Sequence, residues 1–150
     1  MNAHLRTYLA IPGGDPAGIG GEILLKALAH IPRSNATGFI VVADQAILER
    51  TAADLNLDFG FDHIVSDRAA LERAINEGGA TILYALRIVD PATFAYGRIS
   101  GECGRAAYEA IRVATALIEE GYAYAMATTP LHKEALKAAG VNKEDIEAVG

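Results

Sequence analysis

Two short segments of this 150-residue chain combine residue types that can do chemistry. The first is Gly13-Gly-Asp-Pro-Ala-Gly-Ile-Gly-Gly21, with five glycines in nine residues. Glycine lets a backbone turn sharply and approach a ligand closely, because no Cβ stands in the way. Amides in the first turn of a helix that follows such a loop face whatever occupies it. Asp15, inside the loop, repels a phosphate and suits a hydroxyl, an ammonium or a metal-bound substrate better. Neither common phosphate turn fits. A dinucleotide motif begun at Gly18 would need glycine at position 23, where Ile23 stands. A P-loop ends in Gly-Lys-Ser/Thr, and the first lysine here is Lys26. On glycine content alone, a plain strand-to-helix turn is the competing reading.

The second segment is Thr128-Thr-Pro-Leu-His-Lys-Glu-Ala-Leu136. Thr129 offers a hydroxyl, and Pro130 suits the first position of a helix. Lys133 then falls in the first helical turn, where a cation opposes the helix dipole. That placement makes sense if Lys133 reaches an anionic ligand; the alternative is an ordinary solvated lysine. His132 is the only histidine near a proposed site, and a lone histidine is more often structural. His4, His30 and His63 lie in separate segments and give no metal-ligand spacing.

Alternating strands and helices must position these segments. Thr7 to Pro12 reads as a buried strand of a parallel sheet, apolar almost throughout. From Glu22, apolar residues at Ile23, Leu24, Ala27, Leu28 and Ile31 give helical spacing. Strands are expected over Gly38 to Ala43, near His63 to Val65, and over Ala80 to Leu86. Helices are expected over Gln45 to Leu55, capped by Asp44, and over Arg68 to Asn76, capped by Asp67 and ended by Gly78-Gly79. A polar connection containing Pro91 and Gly97 leads to a long helix, about Gly101 to Glu120. Its expected apolar face is Ala107, Tyr108, Ile111, Ala114, Thr115 and Ile118, with an exposed Arg105–Glu109 pair. Tyr122 to Thr128 is the last expected strand, and Leu131 to Ala139 the last helix, stopped by Gly140. Such alternation implies an α/β fold with a mostly parallel sheet. Ligands in such sheets sit at the carboxyl ends of the strands, which is where both segments fall.

Composition narrows the function. A complete fold of this length buries roughly 70% of its unfolded surface, and 51% hydrophobic residues supply a core. The net charge of −6, with no basic stripe, argues against nucleic-acid binding. No run of 18 apolar residues exists to span a membrane. Residues 1–6 lack a signal-peptide pattern, and the single cysteine, Cys103, excludes an internal disulfide. A cytoplasmic location is expected. Cys103 reads as a structural thiol near a helix start rather than as a nucleophile.

In order and spacing, Gly-Asp-Pro-Ala-Gly-Ile-Gly (14–20), Gly97-Arg-Ile-Ser-Gly-Glu-Cys-Gly-Arg-Ala-Ala-Tyr-Glu-Ala-Ile111 and the segment 128–136 resemble the 4-hydroxythreonine-4-phosphate dehydrogenase family. Those enzymes serve pyridoxal phosphate biosynthesis, and paralogues act on four-carbon sugar-acid phosphates. Gly21 departs from the proline usual after the glycine loop. The family's next motif, Gly-His-Thr-Glu, would begin at Gly150, and its three metal-binding histidines come later still. The chain therefore looks like the amino-terminal α/β portion of a two-domain dehydrogenase, without the carboxyl-terminal metal-binding portion. The stretch beginning at Asn142 reads as an acidic insertion.

The resemblance implies an incomplete three-layer α/β/α fold like that of isocitrate and isopropylmalate dehydrogenases. It implies NAD or NADP as cofactor, and a divalent metal (zinc, magnesium, manganese or cobalt) with no ligands in this chain. The implied chemistry is oxidation of an alcohol beside a carboxylate, followed by loss of CO2, with the metal polarising oxygen. Gly14, Asp15, Thr129, His132 and Lys133 would line the pocket for a small phosphorylated four-carbon acid, Lys133 countering its charge. A homodimer, or association with the missing half, is implied, and the 150 residues alone are expected to be inactive. Two other classes stay open: a non-catalytic ligand-binding or interaction module on the same fold, and a phosphosubstrate enzyme of acyltransferase type.

Overall fold

A computed structural model describes residues 6–148. His4 and Gly150 lie outside the described residues. The strands are β1 (Thr7–Pro12), β2 (Thr37–Asp44), β3 (His63–Val65), β4 (Thr81–Leu86) and β5 (Ala125–Met126). They form one sheet in the order β3-β4-β2-β1-β5, with every pairing parallel. The helices are α1 (Gly20–His30), α2 (Gln45–Asp54), α3 (Arg68–Asn76), α4 (Gly101–Glu119), α5 (Lys133–Ala138) and α6 (Lys143–Glu147).

Strand residues alternate between two cores. Tyr8, Ala10, Ile40, Val42, Ile82 and Tyr84 meet Leu71 and Ala74 of α3 and Ala110, Val113, Ala114 and Leu117 of α4. Ile11, Val41, Ala43, Leu83 and Ala85 meet Leu24 and Leu25 of α1 and Leu48 and Ala52 of α2. The result is three layers, α/β/α. The helix after β1 covers one face, while α5, after β5, packs on α4 over the other through Leu136 and Ala107. β1 and β5 are neighbours whose onward connections diverge to opposite faces. That divergence opens the crevice where sheets of this kind bind ligands.

Local chemistry explains the element ends. Asp44 Oδ1 accepts from Ile47 N (3.4 Å) and caps α2, and Asp67 Oδ1 accepts from Ala70 N (2.8 Å) and caps α3. Four expectations need correction. β5 is two residues rather than seven, because only β1 lies beside it and Pro130, with no N–H, follows soon after. α5 begins at Lys133, so Pro130 stands before the helix and not at its first position. The buried stripe of α4 runs through Cys103, Ala106, Ala107, Ala110, Val113, Ala114 and Leu117, which turns Tyr108, Ile111, Thr115 and Ile118 to its flanks. The Arg105–Glu109 pair does not form: Arg105 donates to Ala139 O (3.2 Å) and Glu109 pairs with Arg112 (2.8 Å). The acidic stretch after Asn142 is α6, opened by a reciprocal capping box between Asn142 and Asp145.

Two clamps lie away from the crevice. Asp62 Oδ2 accepts from Ala80 N (2.8 Å) and Thr81 N (3.0 Å), and Oδ1 accepts from Arg33 (3.1 Å). Partial burial raises the Asp62 pKa, but these donors outweigh it and the net shift is downward. Arg68 clasps Glu120 across α3 and α4 (2.6 and 2.9 Å) and holds its carboxyl below the ordinary value. Carboxylates depressed in the fold stabilise it above their unfolded pKa, and that stability is lost as pH falls through the folded pKa. The unfolding midpoint should therefore hold steady above about pH 5 and drop below about pH 4, with Asp62→Asn shallowing that acid limb in denaturation curves. Leu83 is fully buried in the α1–α2 core. Leu83→Ala should cost about 2–5 kcal/mol in urea unfolding.

Candidate functional site

β1 delivers the chain into the glycine loop at the carboxyl edge of the sheet. Gly13 N continues the ladder by donating to Val42 O (2.8 Å). Gly14 then turns in the left-handed region at φ 69°. A Cβ there would collide with the Pro130 carbonyl and lie 2.5 Å from Thr129 Oγ1. Only glycine fits this conformation and this approach. Asp15 N donates to Pro130 O (3.3 Å), and Thr129 Oγ1 donates back to Pro12 O (3.0 Å). A Cβ on Gly20 would be 2.9 Å from Gly13 O and 3.0 Å from Thr129 Oγ1. The loops after β1 and β5 are thereby locked into one unit.

Asp15 is 5% exposed. Its Oδ1 accepts from Ala17 N (2.9 Å), and its carbonyl accepts from Gly18 N (3.0 Å), closing a tight turn. Oδ2 takes no hydrogen bond from the described residues. The turn hands the chain to α1 two residues earlier than its apolar spacing indicates. Ile19 stands at the N-cap position and gives no side-chain cap, so the first amides of α1 open on the loop.

The expected site residues therefore fall into two groups. Gly14, Asp15 and Thr129 are brought together and interlocked. His132 and Lys133 follow on the same segment, exposed at the start of α5, and their side chains make no hydrogen bond or ion pair with the described residues. The Thr129 hydroxyl proton is committed to Pro12 O, so only its lone pairs remain for a ligand. Under the loop, Cys103 is 2% exposed in a cluster with Ala17, Ile47, Val89, Phe94 and Ala106. Burial pushes its thiol pKa up against the lowering effect of Ser100, which fits a structural thiol.

Asp44 is a residue whose second task the sequence hides. Besides capping α2, its Oδ2 accepts from Ile88 N (2.8 Å) and Val89 N (2.9 Å), fixing the chain as it leaves β4. Ser100 caps α4 through Cys103 N (3.1 Å); its place just before the first helical turn was the available signal. The space directly behind the glycine loop is about 20 Å³, room for one water. A cavity of about 160 Å³ lies at the opposite, amino-terminal end of the sheet, lined by Arg33, Thr37 and Thr81 among others. The chemistry of the crevice outweighs that volume, because the polar groups converge at the carboxyl ends. Among the described residues no group of three or more His, Cys, Asp or Glu can hold a metal. His30 bonds Lys26 O (2.7 Å) and His63 faces Glu77 (3.7 Å), so both are otherwise engaged. A divalent metal does not fit the described residues. No helix among them is long and apolar enough to cross a membrane.

Comparison with known proteins gives this chain a family. Residues 35–149 match the model of the pyridoxal phosphate biosynthetic protein PdxA. The chain belongs to this family. It is 38% identical to the 4-hydroxythreonine-4-phosphate dehydrogenase of Beijerinckia indica over 135 residues, covering 89% of this chain and 38% of that protein. A protein of Fusobacterium nucleatum, provisionally named D-threonate 4-phosphate dehydrogenase, is 36% identical over 92% of this chain and 40% of its own length. The crystal structure of the Klebsiella pneumoniae 4-hydroxythreonine-4-phosphate dehydrogenase superposes with a TM-score of 0.77 at 34% identity, over 99% of this chain and 45% of that one. The chain thus spans about 40% of the length of the curated relatives it matches.

The latch and the thiol are both testable. Thr129→Val should lose about 1 kcal/mol of stability, one hydrogen bond's net worth, whereas Gly14→Ala should lose more than about 2 kcal/mol from backbone strain plus displacement of Pro130. Cys103 in the native chain should react with a thiol reagent at least about 100-fold more slowly than in denaturant; equal rates would refute its burial under the loop.

Proposed function

We propose that this chain is the amino-terminal α/β portion of an NAD(P)- and divalent-metal-dependent dehydrogenase that oxidises and decarboxylates 4-hydroxythreonine 4-phosphate or a related four-carbon acid phosphate. The observation that carries this reading is the interlock of the glycine loop with residues 128–130 at the divergence of β1 and β5, in a chain of the PdxA family. Nicotinamide supplies the hydride acceptor in such a reaction, and the metal would be held by residues outside this chain.

The residues present bind and orient. Asp15 Oδ2 and the opening amides of α1 line one wall of the pocket, with Asp15 suited to a substrate hydroxyl or ammonium. Lys133, opposed to the α5 dipole and without a side-chain partner among the described residues, counters the charge of the phosphorylated acid. His132 stands beside it at the same rim, and Thr129 presents its lone pairs from below. Two halves of one cleft are needed, so the 150 residues alone should not turn over substrate. Within the full enzyme the portion works in a homodimer or against its carboxyl-terminal half, in the cytoplasm.

A chimera tests this reading. This chain would replace the matched segment of the Beijerinckia indica enzyme, and NADH formation would be followed with 4-hydroxythreonine 4-phosphate and with D-threonate 4-phosphate. Turnover of either by the chimera, and of neither by the 150-residue chain, is the expected result. Lys133→Ala in the chimera should raise KM about tenfold or more, the worth of one charge-assisted bond. Unchanged KM and kcat would remove Lys133 from the site.

A further inference from the structure

The second motif, beginning at Gly97, leaves a feature that substrate binding does not use. Between β4 and α4 the chain crosses over α2, and aromatic, cation and hydroxyl contacts pin it there. Phe94 and Tyr96 pack edge to face with centroids 4.9 Å apart. The Arg50 guanidinium sits 5.4 Å from the Phe94 ring centre and 5.6 Å from that of Tyr96. The Tyr96 hydroxyl donates to Asp54 Oδ2 (3.2 Å) and lies 3.2 Å from Thr51 Oγ1, while Arg50 also faces Asp54 (3.5 Å). Tyr96 itself is 43% exposed, so these contacts are not needed to fill the core.

The next residue carries the consequence. Gly97 adopts φ 71°, yet a Cβ there would meet nothing within 4 Å. Backbone conformation, and not space, is what demands glycine at this point. In that conformation Gly97 N donates to Ala17 O (2.8 Å). Ala17 is the residue whose own N–H closes the Asp15 turn (2.9 Å), and its side chain packs with Phe94 and Cys103.

We propose that Tyr96 is a positioning residue: held on α2 by Arg50, Asp54 and Thr51, it sets Gly97, and through Ala17 it fixes the turn that presents Asp15. The description of that turn as a substrate wall rests on the function proposed above; the mechanical coupling does not. α2, the crossing segment and the glycine loop then form one chain of contacts. Loosening its far end frees the loop without disturbing the sheet.

Amide hydrogen exchange on the 150-residue chain tests the coupling without any ligand, so its outcome is separate from that of the substrate reading. Tyr96→Ala should speed exchange of the Gly97, Ala17 and Gly18 amides by about tenfold or more, while Ile40 and Leu83 in the sheet keep their parent rates. Tyr96→Phe keeps the ring on Phe94 and Arg50 but loses the hydroxyl contacts with Asp54 and Thr51, so those loop amides should exchange at rates between the parent and Tyr96→Ala. Gly97→Ala, which leaves Tyr96 in place, should reproduce the loop acceleration. Unchanged Ala17 and Gly18 rates in Tyr96→Ala would overturn the proposal. So would equal acceleration of loop and sheet amides, which marks a general loss of stability.

Discussion

The site depends on one close approach between two stretches of backbone. The loops after β1 and β5 are joined by Thr129 Oγ1 donating to Pro12 O and Asp15 N donating to Pro130 O. Neither bond can form unless the chains come within the space a Cβ would occupy at Gly14 and Gly20. The glycines are therefore set first by a protein–protein contact within the chain, and only then by any ligand. Because β1 and β5 send their helices to opposite faces, the latch also closes the base of the crevice. Without it, two strand ends would diverge with nothing between them.

Buried carboxylates organise the rest of this edge. Asp15 closes its own turn through Ala17 N, and Asp44 gathers three amides, from Ile47, Ile88 and Val89. Both lie under 6% exposed, where an ionised group is costly unless hydrogen bonds satisfy it. Satisfied by fixed amides, each becomes a staple for loops that lack regular structure. The two differ in what is left over. Asp44 spends both oxygens on the backbone, whereas Asp15 keeps Oδ2. Asp44 is thereby fully spent as a scaffold residue, and Asp15 is not.

Much of the fold was legible because its signals are local. Runs such as Gly38 to Ala43, caps such as Asp44 and Asp67, and stops at Gly78 and Gly140 depend on neighbours in sequence. The strand order was not, since β3 and β5 reach the edges by crossovers that no periodicity records. β5 itself was overread: Tyr122 to Thr128 is apolar enough for a strand, but an edge place beside β1 alone leaves a ladder only over Ala125 and Met126. In α4, small residues such as Ala106 and Ala110 take the buried face and the larger Tyr108 and Ile111 the flanks. Close packing of α4 against the sheet favours small side chains, which a reading by hydrophobicity undervalues. Of the site, Gly14, Asp15 and Thr129 were legible as types at strand ends. The donor–acceptor pairs between residues 117 apart, and the reach of Gly97 back to Ala17, were not.

The remaining question is what shape of ligand such an edge can serve. Small-molecule sites are clefts of about 300–1,000 Å³ that bury most of the ligand, and the space behind the glycine loop is about 20 Å³. That space is too small for such a ligand, and any group that meets the loop does so from its outer side. The open amides of α1 and the exposed Lys133 at the start of α5 flank the loop, and Asp15 lies buried within it. Their charges differ: the Asp15 carboxylate disfavours an anion at the loop, and the Lys133 ammonium favours one at the start of α5. An edge with a built-in gradient of charge is what these residues supply.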